Sequence, residues 1–196
     1  MTYEQAIEAL SRKNFTPAIA TILGHLRDNP CKADAWLYLG VAYSEAGLQD
    51  DALEALDRAE LLLNEPTAQL CEAFGCTLLR LKRYQEARSY LQTALNLPDC
   101  PASAYRNLGV LEFKAGDLVA ARELVETARD HGPDDVHTLY ARIVVLDRLL
   151  NSPSHNAHTM IRAELREALT DILGRPGVPK EMAASAAKRL TDLDAA

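Results

Sequence analysis

Between residues 34 and 46 apolar side chains return at helical spacing: Trp36, Leu39, Val41 and Tyr43. Gly47 follows and suits the left-handed conformation that ends a helix. A second run, residues 48–62, puts Ala52, Leu56 and Ala59 on one stripe, with Leu63 continuing it. The pattern predicts two antiparallel helices. Gly40 and Ala52 are small, so the pair can approach closely while Trp36 and Tyr43 fill the space at either end. A large side chain at Gly40 should then overpack the contact, at about 1–3 kcal/mol. Truncating Trp36, if it is buried, should cost about 3–5 kcal/mol.

The same unit recurs. Ala18, Ala52, Ala87 and Ala121 hold the small position early in each second helix, at successive separations of 34, 35 and 34 residues. The order Trp36, two residues, Leu39-Gly40, two residues, Tyr43 and then Ala52 resembles the tetratricopeptide repeat, whose period is 34 residues. Cys71, Phe74 and Gly75 stand in the corresponding slots of a third unit, and Tyr105, Leu108 and Gly109 in those of a fourth. The units run at about 2–30, 34–66, 67–98 and 101–133, followed by a degenerate one at 135–174 and a capping helix at 179–194. Thr2 and Gln5 form a capping box for the first helix, and Thr16-Pro17 reads as the start of the second. In the fifth unit helices are expected at 136–150 and 159–173, around a polar loop containing Pro153 that exceeds the family's tight turn. The resemblance implies an all-α fold. It would be an α-solenoid, a right-handed superhelix of about five helix pairs closed by the C-terminal capping helix, in one domain.

Charge and composition narrow the function classes. Hydrophobic residues make up 48% of the 196, enough for a substantial core. A net charge of −7 and a pI near 5.2 argue against a nucleic-acid surface and against an anionic membrane surface. The opening residues carry neither a basic segment nor a long apolar one, so no secretion signal is expected. No run approaches the length of a membrane span. Cysteines at 31, 71, 76 and 100 lack paired spacing, so free thiols in the cytoplasm are the expectation.

Catalytic chemistry leaves no trace in the sequence. There is no Gly-rich phosphate loop and no Gly-x-Ser-x-Gly elbow. His155 and His158 stand three apart, but in a Ser/Asn/Pro loop without a nearby carboxylate or thiol. Cys71 and Cys76 would point about 140° apart on a helix, too far around to share a metal. Glu164 with Glu167, and Asp50 with Asp51, read as solvated faces or helix starts. No enzyme activity, cofactor or metal is expected.

The family resemblance further implies that the first helix of each pair lines a concave groove that binds a protein or peptide segment. Carried over position by position, the groove set is Tyr38 and Val41 from the second unit, and Leu79 and Arg80 from the third. The fourth supplies Arg106, Asn107, Val110, Phe113 and Lys114; the fifth supplies Tyr140, Val144 and Arg148. These would make a partly apolar trough edged by Arg80, Arg106, Lys114 and Arg148, suited to an amphipathic helix or extended peptide with acidic flanks. One subfamily grips a chaperone's C-terminal carboxylates with Lys, Asn and Arg. Here only Asn107 matches, while Leu37, Val41, Glu72 and Cys76 occupy the other slots, so that activity is not expected. The favoured expectation is a protein-binding adaptor. Self-assembly into a homo-oligomeric scaffold, or a chaperone of the secretion type holding apolar client segments, are the alternatives.

Overall fold

The computed structural model describes residues 1–152 and 158–195. Among these there are eleven α-helices and no strand. They run α1 (Tyr3–Ser11), α2 (Phe15–Asp28), α3 (Ala33–Ala46), α4 (Gln49–Leu62), α5 (Ala68–Arg80) and α6 (Tyr84–Leu95). Then come α7 (Ala102–Ala115), α8 (Leu118–His131), α9 (Val136–Leu150), α10 (His158–Gly174) and α11 (Lys180–Ala195). The chain divides into two compact units, Met1–Ala104 and Tyr105–Ala196, with the division inside the first turn of α7.

In the first unit each of α1 to α6 packs on its sequence neighbour, and α3 also touches α5. Ala18, Ala52 and Ala87 are fully buried, as the small positions require. A Cβ added at Gly40 would stand 2.6 Å from Leu56 Cδ2, and one at Gly75 would stand 2.6 Å from Leu91 Cγ. Two helix pairs are therefore seated backbone against leucine. Trp36 is half-buried rather than central. Its indole N–H donates to the Pro30 carbonyl at 2.8 Å, while Ala35 and Leu39 occupy the interior beside it. Its truncation should therefore cost less than the about 3–5 kcal/mol of an enclosed tryptophan.

Helix starts follow the orphan amides of the first turn. Thr2 and Gln5 make the capping box of α1. However, α2 begins at Phe15 with Asn14 as its N-cap, so Thr16 and Pro17 lie inside the first turn instead of at its border. Proline is tolerated there because first-turn amides have no partner within the helix. Leu63 caps the end of α4 and does not extend its stripe.

The second unit repeats the close seating, with Val125 Cγ1 3.0 Å from a Cβ placed on Gly109. Ile143, Leu146 and Leu149 of α9 meet Ile161, Leu165 and Leu169 of α10 in one core, which also takes in Ala186 and Leu193 of α11. The last helix thus covers the apolar side of α10, as a cap should. Arg142 is buried and compensated by Glu126, with Nε 2.7 Å from Oε1. Pro153 and His155 lie outside the described residues.

The corners between paired helices carry a second ruler. Lys13, Gly47, Lys82 and Gly116 all have positive φ, at 58°, 86°, 61° and 89°. Their separations of 34, 35 and 34 residues match those of the buried alanines. Asn151, 35 residues after Gly116, instead has φ −89°. A Cβ disfavours the left-handed region by about 1–2 kcal/mol. Lys82→Gly is therefore expected to stabilise the fold by about 0.5–1 kcal/mol, after glycine's greater chain entropy is subtracted. Urea denaturation reads this as a higher midpoint; an unchanged or lower one would show the lysine corner to be unstrained.

Candidate functional site

Helical periodicity brings two sets of side chains face to face in the second unit. Arg106, Val110, Phe113 and Lys114 stand at i, i+4, i+7 and i+8 of α7, on one side. His137, Tyr140, Ala141 and Val144 stand at i, i+3, i+4 and i+7 of α9, likewise on one side. Between them lies a cavity of about 370 Å³. Buried Val125 and Val145 form its floor, and Met182 of α11 adds a third wall. The lining includes Arg106, Lys114 and His137 and no carboxylate, in a chain whose net charge is −7.

Two aromatic walls are held from behind. The Tyr140 phenol oxygen lies 3.4 Å from Ser185 Oγ, and the Arg189 guanidinium stands 5.9 Å from its ring centroid. Tyr140 and Phe113 also pack against the core of the unit. They are thus wall and support at once.

Arg106 is fixed by a carboxylate with several tasks. Asp135 caps α9, accepting the His137 N–H at 3.0 Å and the Thr138 hydroxyl at 2.7 Å, and it pairs with the Arg106 guanidinium. Burial by itself would raise the Asp135 pKa. The Thr138 hydroxyl, the Arg106 charge and the His137 N–H together outweigh it and hold the carboxyl below its usual range. A depressed folded-state pKa stabilises above the unfolded value, about 3.9, and that contribution is lost as pH falls below it towards the folded value. Asp135→Asn should therefore destabilise the fold at neutral pH and flatten its loss of stability in that acid window. Parallel pH–stability curves for the two proteins would refute the assignment.

Six of the twelve expected groove residues line this cavity: Arg106, Val110, Phe113, Lys114, Tyr140 and Val144. The other six lie outside its lining. Tyr38 is exposed on α3, and Val41 and Leu79 are half-buried on α3 and α5. Arg80 is exposed at the end of α5. It donates to the Ser44 carbonyl and pairs with Glu45, beside a Thr77 to Ser44 hydroxyl bond of 3.0 Å, and so ties α5 to α3. Asn107 is half-buried and Arg148 exposed. The expected set lacked His137 and Met182. His137 sits one turn before Tyr140 and Ala141, so the period of α9 could have supplied it. Met182 depends on how α11 docks, which no spacing records.

Cys71 is buried, which with the Glu60 charge raises its thiol pKa, whereas Cys31 is exposed. Among the described residues no three His, Cys, Asp or Glu side chains gather to hold a metal ion. No helix there is long and apolar enough to cross a membrane.

Two sequence profiles described as Tetratricopeptide repeat match the chain, one over residues 3–64 and the other over 78–143. Tetratricopeptide repeat protein 34 of Mus musculus is 28% identical over 141 residues, which cover 72% of this chain and 24% of the mouse protein. The chain thus spans about a quarter of that relative's length. Among solved structures, TTC0263, a thermophilic TPR protein of Thermus thermophilus, gives a TM-score of 0.76 at 14% identity over 96% of each chain. PilW, a type IV pilus biogenesis factor, gives 0.71 at 19% identity over 98% of this chain and 88% of its own. At these identities the likeness is one of fold, the all-α solenoid class. Helix pairs on a 34-residue period, matched by both profiles, make this chain a member of the tetratricopeptide-repeat family, whose members are in general non-catalytic scaffolds for protein–protein interaction.

Proposed function

We propose that the pocket of the second unit holds an apolar protein segment with carboxylates on its flanks, and that the chain works as an adaptor without chemistry of its own. The observation that carries this reading is a cavity walled by three helices, apolar within, with cationic side chains and no carboxylate in its lining. Its volume of about 370 Å³ falls in the usual range of binding pockets, about 300–1,000 Å³. Regular helices hold its walls, so little ordering entropy opposes binding. The repeat phase passes from Ala87 to Ala121 without a break, which supports reading residues 1–196 as a single repeat domain. The test is partner capture by the intact chain beside a Lys114→Glu chain. A partner retained equally by both, and by a Phe113→Ala chain, would defeat the reading.

A further inference from the structure

Among the described residues Leu61 is the most exposed large hydrophobic side chain, at 78%. It stands near the end of α4 beside Leu62, also exposed. Glu54 and Asp57 share its helical face at i−7 and i−4. Glu60 precedes it and Glu65 follows the helix, all exposed, and Arg58 is the one cation between residues 54 and 65. The first unit therefore carries an apolar tip set in acidic surroundings. The second unit carries the opposite, an apolar cavity with Arg106, Lys114 and His137 in its lining. Arg106 pairs with Asp135 there, and the Lys114 and His137 side chains are exposed.

We propose that the occupant of the pocket is a second copy of this chain: the Leu61–Leu62 end of α4 enters between α7, α9 and α11 of the next molecule. This rests on the reading that the pocket is a docking site, and it names the partner. Copies bearing a net charge of −7 repel one another at a distance, so association needs a local match of sign. The acidic tip and the cationic mouth supply that match, and the leucines supply the apolar contact. Tip and pocket are different surfaces, so the contact is heterologous. Each molecule keeps a free tip or a free pocket, and growth continues until a ring closes or an open filament forms. Added salt should weaken the charge part and leave the apolar part.

Sedimentation velocity on the intact chain tests this across rising concentration. The sedimentation coefficient is expected to climb past that of a dimer. Leu61→Lys and Lys114→Glu should each weaken association about tenfold or more, the effect of losing one anchor. Both positions are exposed, and helical circular dichroism with a melting curve verifies that each variant folds. The Leu61→Lys chain keeps its pocket and the Lys114→Glu chain keeps its tip, so an equal mixture should stop at a one-to-one dimer. A wild-type chain that stays monomeric throughout, association unchanged by Leu61→Lys, or variants that fail to complement would each overturn the inference. A monomeric chain whose capture of a different protein still depends on Lys114 would leave the broader adaptor reading standing.

Discussion

Gly40→Ala is expected to destabilise the protein by about 1–3 kcal/mol, although alanine is the better helix former by about 1 kcal/mol. The reversal comes from the seat of α3 on α4. The new methyl would lie 2.6 Å from Leu56 Cδ2, 2.7 Å from its Cγ and 3.2 Å from the Ala52 carbonyl oxygen. Leu56 is fully buried and cannot swing into solvent, so the helices must part or the leucine must leave its rotamer. A double-mutant cycle isolates the cause. Leu56→Ala should cost about 2–5 kcal/mol alone, by leaving a cavity. Gly40→Ala added to it should cost little, because the methyl enters that space. Denaturant titration of the four proteins measures the coupling. A neutral or stabilising Gly40→Ala would mean that the pair is not seated on that glycine.

The second large effect falls on the pocket. Phe113→Ala and Tyr140→Ala are each expected to reduce partner capture by about tenfold or more, as loss of an aromatic anchor does. The sequence alone suggests that such truncations spare the melting temperature. The structure argues otherwise, because both rings pack against the buried core of the second unit. A drop in stability should accompany the lost binding. Lys114→Glu separates the two effects, since an exposed side chain at the mouth should alter capture while leaving the melting temperature nearly unchanged. Equal capture by all three variants would remove the pocket from consideration.

What could be read in advance was whatever one helix presses into its neighbour at fixed spacing. Ala18, Ala52, Ala87 and Ala121 are buried because each repeat needs a small residue at the same contact, and the period exposes them. The facing stripes of α7 and α9 follow from helical geometry in the same way. Trp36 misled because its presence in the signature says that it fills a space, not that the space is closed. Lys13 and Lys82 were hidden for another reason: left-handed backbone leaves a mark in sequence only where glycine supplies it. Arg80 and Arg106 looked like loose cations at the edge of a groove. Their partners, Glu45 on α3 and Asp135 at the N-cap of α9, lie 35 and 29 residues away, and periodicity does not pair charges between elements.

Four bends of like backbone geometry, spaced by nearly equal stretches of chain, make the first four hairpins interchangeable parts. A cassette cut at corresponding points just after Gly47 and just after Lys82 begins and ends in the same local conformation. It can be duplicated or removed without asking any bend to change. Asn151 marks where that freedom stops, so lengthened or shortened versions of this protein should be made upstream of it.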